Sequence, residues 1–229
     1  MNLDFVIEKL EELADSEKVK IKREKFGIVA TNSLGIYQKD LKILAKEIGH
    51  DNELAIQLFD TGIYETRILC SKILKPADVT ESLMKVWVKT FENWEICDSF
   101  CMGLFAKSEF SQKKIFEWTL RDSEFEKRAG FVIIAAYCMA DKNAGNEVFE
   151  QFFPLIEREA TDSRLYVKKA VNWALRNIDL NNAAIIVANR ISILESKSAK
   201  WIASNALNEL GKSSVNILDY PRALYRKNG

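Results

Sequence analysis

A tryptophan and a carboxylate stand four residues apart in the segment Asn93-Trp94-Glu95-Ile96-Cys97-Asp98. In a helix this spacing places both side chains on one face. Asp98 is followed by a mostly apolar run, where a carboxylate is either paired with an arginine or functional. Arg128 precedes the apolar stretch 129–140 and is the candidate partner. A structural Asp98–Arg128 ion pair is therefore the alternative to a functional role.

Two further tryptophans lie outside the apolar stripes of their predicted helices. The helix predicted over 163–178 has a regular core stripe, formed by Val167, Ala170, Val171, Ala174, Leu175 and Ile178. Trp173 falls on the opposite face, with Lys169, Asn172 and Arg176. In the helix predicted over 197–210, Trp201 lies with Lys197, Asn205 and Asn208. Indoles among cations favour stacking on a planar or cationic ligand, although packing against a neighbouring helix is the alternative for both.

A carboxylate among indoles and cations suits cleavage of a sugar bond through an oxocarbenium-like state. The carboxylate would stabilise the developing sugar cation or position a water molecule, and the aromatic faces would favour a cationic leaving base. The residues that nucleophilic or metal-dependent catalysis would need are missing from the sequence. The chain has a single histidine, His50, and its four cysteines include no Cys-x-x-Cys pair. We therefore expect no nucleophile–histidine triad, no metal site and no cofactor.

Helices must position these residues, because apolar residues recur at helical spacing along almost the whole chain. The predicted helices cover 3–15, 18–26, 37–48, 52–60, 63–74, 79–90, 94–106, 111–120, 124–140, 146–159, 163–178, 181–194 and 197–210. From residue 52 they come in pairs, and the second helices begin at steps of roughly 30 to 40 residues, the scale of a two-helix repeat. This predicts an all-α, curved solenoid of antiparallel helix pairs over 1–211, with a tail over 212–229.

Charge is distributed unevenly in a chain whose formal net charge is zero. The 229 residues contain 33 Lys and Arg and 33 Asp and Glu. The second helices nevertheless carry a basic residue three to five positions after their starts, at Arg67, Arg128, Lys168 and Lys200. One cation per repeat on one side of a curved stack suits a phosphate backbone; a solvated surface is the alternative. We expect a cytoplasmic monomer with reduced thiols.

Several segments resemble the AlkD-like DNA alkylation repair proteins, which are DNA glycosylases built from HEAT-like helical repeats. The segments are Leu34-Gly35-Ile36, Leu44 to Gly49, Gly62 to Arg67, Trp94-x-x-x-Asp98, Lys127-Arg128-Ala129, Val167 to Arg176 and Ser196 to Ser204. The resemblance implies a monofunctional glycosylase, which would hydrolyse the N-glycosidic bond of positively charged alkylated purines. The implied substrates are 3-methyladenine and 7-methylguanine in duplex DNA, removed in base excision repair without flipping into a pocket.

The resemblance also assigns roles. Asp98 would stabilise the sugar cation and position water, Trp94 and Trp173 would cradle the deoxyribose, and Arg128 would hold the nearby phosphate. Backbone contacts would come from Lys169, Arg176, Lys197 and Lys200, in addition to Arg67, Lys168 and Trp201 from the charge and tryptophan patterns. The chain departs from the family pattern at Phe26, Lys39 and Lys42. Two alternatives remain: a non-catalytic protein that binds bent or branched DNA, and a protein-interaction scaffold.

Overall fold

The structure is a computed structural model that describes residues 1–141, 144–178 and 180–212, without the side chains of residues 138 and 139. Within these ranges the chain is helical and contains no strand, which confirms the all-α prediction. The chain divides into two compact units, Met1–Glu109 and Phe110–Gly229. The single repeat domain over 1–211 stays a prediction. The predicted tail lies outside the described residues except for Lys212.

In the first unit, one helix is enclosed by the others. The helices are α1 (Leu3–Glu12), α2 (Ser16–Phe26), α3 (Gln38–Ile48), α4 (Asn52–Asp60), α5 (Tyr64–Ile73), α6 (Glu81–Trp87) and α7 (Trp94–Gly103). Short 3₁₀ turns cover Pro76–Asp78, Val88–Thr90 and Phe105–Lys107. Helix α5 packs against α3, α4 and α7, and every residue from Tyr64 to Ser71 is buried. Side chains of α5 therefore reach solvent only near its C-terminal end.

The second unit shows the predicted helix pairs directly. Its helices are α8 (Ser111–Trp118), α9 (Glu124–Ala140), α10 (Asn146–Glu150), α11 (Phe153–Glu159), α12 (Leu165–Asn177), α13 (Asn181–Ser192) and α14 (Lys197–Leu210). Helix α9 packs on α8, α12 on α11, and α14 on α13. Helix α12 also lies between α9 and α14, so the second helices of successive pairs are neighbours. The apolar stripes predicted for α12 and α14 are buried throughout.

The structure corrects two local predictions. The helix predicted over 146–159 is two helices, because Pro154 lies at the start of α11, where a residue without an N–H is tolerated. Helix α1 ends at Glu12 instead of 15, since Asp15 caps α2 by accepting from the N–H groups of Glu17 and Lys18.

Candidate functional site

The N-terminus of α7, which carries Trp94 and Asp98, is fixed by the buried side chain of Asn93. Asn93 Oδ1 accepts hydrogen bonds from the N–H groups of Glu95 and Ile96, at 3.0 and 3.2 Å. Its Nδ2 donates to the carbonyl oxygen of Val29 at 3.0 Å. One side chain thus caps α7 and ties it to the segment between α2 and α3. The first turn of α7 therefore has a defined position within the first unit.

A buried charged cluster lies behind this cap and consists of Lys22, Glu65 and Glu95. Lys22 is only 3% exposed. Its Nζ lies 3.0 Å from a Glu95 oxygen and 4.0 Å from a Glu65 oxygen, and it donates to the carbonyl of Ile36 at 3.0 Å. The Tyr64 hydroxyl lies 2.9 Å from both Asn93 Oδ1 and Glu95 Oε2. Burial and the neighbouring Glu95 charge raise the pKa of Tyr64 well above its usual range, so Tyr64 acts as a hydrogen-bond donor here.

Glu65 also organises the connection between α2 and α3. Its carboxylate accepts hydrogen bonds from the Ser33 hydroxyl and from the backbone N–H groups of Leu34, Gly35 and Ile36. Gly35 has a φ of +79°, and a Cβ there would stand 2.1 Å from the carbonyl oxygen of Asp15. Only glycine fits this turn. The Leu34-Gly35-Ile36 and Gly62-to-Arg67 segments, recognised separately in the sequence, are thus joined by Glu65.

Trp94 is half-buried and is anchored through its indole nitrogen. Its Nε1 donates to the carbonyl oxygen of Phe26 at 2.9 Å. Asp98, also half-buried, follows one turn later on the same face. Ser99, the next residue, accepts a hydrogen bond from Gln38 Nε2 at 2.9 Å. The first unit therefore presents an indole plane and a carboxylate on adjacent turns of an anchored helix.

In the second unit Arg128 is almost fully buried, at 5% exposure. Its Nη1 donates to the carbonyl oxygen of Tyr166 at 2.8 Å, and the Tyr166 N–H donates to Glu124 at 3.1 Å. The neighbouring Lys127 pairs with Glu159 at 2.5 Å. These bonds hold the start of α9 against the start of α12. Arg128 is thus held by the backbone of Tyr166, and its contact with a phosphate stays a prediction.

Trp173 is half-buried on α12, between the exposed Lys169 and the half-buried Arg176. Asn172, which we expected on the same polar face, is instead 2% exposed. Its Nδ2 donates to the carbonyl oxygen of Ile202 in α14 at 3.1 Å, and its Oδ1 accepts from Arg176 Nε at 3.0 Å. Asn172 therefore joins α12 to α14 and orients the Arg176 guanidinium. An amide at helical spacing from charged residues gave no indication of this buried role.

Trp201 is exposed to 40%, more than Trp94 or Trp173. The Nζ of Lys168 lies 5.0 Å from the centre of its ring, a cation–π contact between α12 and α14. Lys197 and Lys200 are also exposed. Lys200 forms a long ion pair, of 3.9 Å, with the solvated Glu195. Together Lys168, Lys169, Lys197, Lys200 and Trp201 form a basic surface on the second unit, called the α12–α14 surface below.

Arg67 differs from the lysines among the predicted DNA contacts, because it is buried. Only 8% of it is exposed, and its guanidinium donates to both carboxylate oxygens of Glu92 and to the carbonyl and hydroxyl oxygens of Thr90. It also lies 5.6 Å from the centre of the Phe59 ring. Such a bidentate, buried pairing is typical of a structural arginine. The contact of Arg67 with DNA stays a prediction, and the buried guanidinium offers no exposed donor for it in this structure.

The predicted catalytic residues are thus divided between the units, with Trp94 and Asp98 in the first and Arg128 and Trp173 in the second. Their assembly into one cleft stays a prediction. Over the described ranges, no group of histidine, cysteine and carboxylate side chains could hold a metal ion. No described helix is long and apolar enough to cross a membrane.

Comparison with known proteins decides the family. The model of the DNA alkylation repair enzyme family matches residues 6–188. The chain belongs to this family. The resemblance found in the sequence is thereby confirmed. None of the curated proteins matches the chain.

A solved structure supports the fold. It belongs to a protein described as one of a new family related to the HEAT-like repeat DNA glycosylases, with affinity for branched DNA structures. The two are 20% identical with a TM-score of 0.73, and the match covers 97% of this chain and 100% of the other. At this identity the likeness shows the fold, and it confirms the predicted HEAT-like helix pairs.

Proposed function

We propose that this DNA alkylation repair family member is a DNA glycosylase that removes positively charged alkylated purines, such as 3-methyladenine and 7-methylguanine, from duplex DNA. The observation that carries the proposal is the Trp94–Asp98 pair, on adjacent turns of a helix whose N-terminus is held by Asn93 and by the Trp94–Phe26 hydrogen bond. An anchored indole and carboxylate suit a reaction in which positive charge develops on a sugar.

The chemistry of the substrate explains why one carboxylate is enough. An N3- or N7-alkylated purine carries a positive charge, so it leaves as a neutral base when the C1′–N bond breaks, without needing a general acid. The positive charge passes to the sugar, where the Asp98 carboxylate would stabilise it. Asp98 would then orient a water molecule and accept its proton as the water oxygen adds to C1′. The reaction is hydrolytic and needs no cofactor.

The remaining residues bind the substrate in this proposal. Trp94 and Trp173 pack against the deoxyribose of the damaged nucleotide, and Arg128 donates to the adjacent phosphate. The α12–α14 surface, together with Arg176, contacts the backbone further along the duplex. Arg67 contributes indirectly, because its guanidinium holds Thr90 and Glu92 close to the start of α7.

A second candidate function is binding of bent or branched DNA without base release. It is favoured by the structural neighbour, whose described property is affinity for branched DNA structures. Both functions use the α12–α14 surface, and they differ only in the chemistry at Asp98.

The two functions are separated by two assays on the purified full chain. The glycosylase proposal predicts that methylated purines appear in solution after incubation with N-methylated duplex DNA, as measured by chromatography of the free bases. It also predicts an abasic site for each base released. Tight binding to a four-way junction, with no base released from any methylated duplex, would overturn the glycosylase proposal and leave the branched-DNA function.

A further inference from the structure

A groove with a volume of about 300 Å³ lies between α1 and α3 in the first unit. It is called the α1–α3 groove below. Its lining consists of Lys9, Glu12 and Leu13 of α1, and of Asp40, Ile43, Leu44 and Glu47 of α3. In each helix these positions follow one another mostly at intervals of three or four residues, which places them on one face. The groove is therefore formed by two helix faces that meet at the surface.

The apolar part of the groove is open to solvent. Leu13 and Ile43 are 42% and 52% exposed, and the buried Leu44 also belongs to the lining. Phe5 precedes Lys9 by one turn of α1 and is exposed as well, with its ring centre 5.8 Å from Lys9 Nζ. Single exposed apolar residues are common, but apolar side chains that gather in one groove are typical of a docking surface. A cavity of about 150 Å³ holds a benzene ring, so this groove has room for about two aliphatic side chains.

Carboxylates accompany the apolar side chains and give the groove a negative charge. Among the residues that the structure describes, the lining contains three carboxylates, those of Glu12, Asp40 and Glu47, and one ammonium group, that of Lys9. Lys9 Nζ lies 2.8 Å from a Glu12 oxygen, so the charges of Asp40 and Glu47 remain. Such a groove repels the phosphates of DNA. A second copy that presented the same groove would place its carboxylates against these and would be repelled as well.

The groove lies on the side of α3 that is turned away from α7. Gln38 marks the opposite side, because its side chain donates to Ser99 of α7 at 2.9 Å. At about 100° per residue, the middle of the face from Asp40 to Glu47 lies about half a turn around the helix axis from Gln38. A ligand in the groove would therefore leave Asp98 on α7 uncovered.

We propose that the α1–α3 groove binds a basic amphipathic helix of another protein. Two apolar side chains of that helix, one turn apart, would enter the groove beside Leu13 and Ile43, and its lysines or arginines would pair with Asp40 and Glu47. An amphipathic helix that lays its apolar face into a groove is a recurring mode of peptide recognition. The α3 side of the groove is about 10 Å long at 1.5 Å per residue, which matches about two turns of such a helix.

The test uses a synthetic probe peptide of about 15 residues, composed of alanine and lysine with two leucines four residues apart, a composition that favours the helix. Its affinity for the full chain is measured by fluorescence anisotropy at low and at high salt. The wild type should bind the probe, and binding should weaken as salt screens the exposed charges. A peptide with glutamate in place of lysine, and one with alanine in place of leucine, should each bind at least about tenfold more weakly.

Variants of the protein locate the binding. Ile43→Ser should weaken probe binding at least about tenfold, the loss typical of a central apolar contact. Asp40→Asn and Glu47→Gln should each weaken it by up to about fivefold at low salt, as for exposed ion pairs. Val86→Ser is the matched control, because Val86 is 57% exposed on α6 of the same unit and does not line the groove. It should leave the affinity for the probe unchanged.

Several results would overturn the inference. One is a wild type that does not bind the probe, and another is equal binding by the wild type and Ile43→Ser. A dimer in sedimentation equilibrium that dissociates in Ile43→Ser would assign the groove to a second copy. Weaker duplex binding by Ile43→Ser, with unchanged probe binding, would assign it to DNA. None of the probe measurements involves DNA, so failure of the proposed glycosylase function would leave this inference intact.

Discussion

At the residue scale, Arg67 shows that the position of a basic residue within a repeat does not determine whether its side chain is exposed. Its offset within α5 matches the offsets of Arg128, Lys168 and Lys200 in their helices, and the pattern predicted one basic surface. The offset defines a direction around the helix axis, but burial depends on what packs there. Because α5 is enclosed by α3, α4 and α7, Arg67 is buried and pairs with Glu92. Lys168 and Lys200 lie on helices with one open face, and their positions agree with the pattern.

The five tryptophans form two groups that differ in burial. Trp87 and Trp118 are buried, whereas Trp94, Trp173 and Trp201 retain exposed surface. For Trp173 and Trp201, their places outside the apolar stripes indicated this. The sequence left packing against a neighbouring helix as an alternative for Trp201. In the structure the indole contacts Lys168 of the adjacent helix, and it is still substantially exposed.

Replacement of Trp201 separates these two roles. We expect Trp201→Ala to weaken duplex binding by up to about 1–3 kcal/mol, the range for a base stacked on an aromatic side chain. Loss of the exposed cation–π contact should lower the free energy of unfolding by no more than about 1 kcal/mol. Trp201→Phe retains an aromatic face and should recover most of the binding. Unchanged DNA affinity with a much larger loss of stability in urea denaturation would instead assign Trp201 to packing.

At the element scale, most helices could be predicted from apolar spacing, and their boundaries differ from the structure by a few residues. The predicted helix boundaries are wrong where a capping residue or a proline sets the end of a helix, at Asp15 and at Pro154. The Lys22–Glu65–Glu95 cluster was missed altogether. Its members are charged residues that a periodicity argument assigns to solvent, and only the structure shows that they are buried together.

Lys22→Met tests the contribution of this cluster. The substitution leaves two buried carboxylates without their cation, which should lower the free energy of unfolding by about 3–5 kcal/mol. Because the same cluster holds the start of α7, base release by the folded variant should also slow. Chemical denaturation measures the first effect and single-turnover kinetics the second. Lys20→Met is the control, since Lys20 is exposed on the same helix and should cost less than about 0.5 kcal/mol. Equal stability of the two variants would contradict the role of the cluster.

At the scale of the whole molecule, the net charge of zero gave no indication of a nucleic-acid partner. The distribution of charge did indicate such a partner, because exposed lysines lie together on the α12–α14 surface. Many acidic residues form local ion pairs instead, such as Glu117 with Lys114 and Arg121. The repeat spacing predicted helix pairs, and the structure contains them. The spacing could not supply the family or the substrate, which depended on the resemblance of specific segments.

The salt dependence of binding tests this distribution. Lys169→Gln and Lys197→Gln should each reduce the slope of log affinity against log salt by about 0.9, with nearly additive effects. Both lysines are exposed on the α12–α14 surface. Lys9→Gln removes a lysine that is paired with Glu12 in the first unit and should leave the slope unchanged. Equal slopes for all three variants and the wild type would place the DNA elsewhere on the protein.

The most direct test of the central claim is the single-turnover rate of 3-methyladenine release by the wild type and by Asp98→Asn, measured beside their affinities for the same duplex. Asparagine has nearly the same shape as aspartate but cannot stabilise a sugar cation by charge or accept a proton from water. We predict a rate at least about a hundredfold lower, with an affinity within about twofold of the wild type. An unchanged rate of release in Asp98→Asn would contradict the assignment of Asp98 as the catalytic carboxylate.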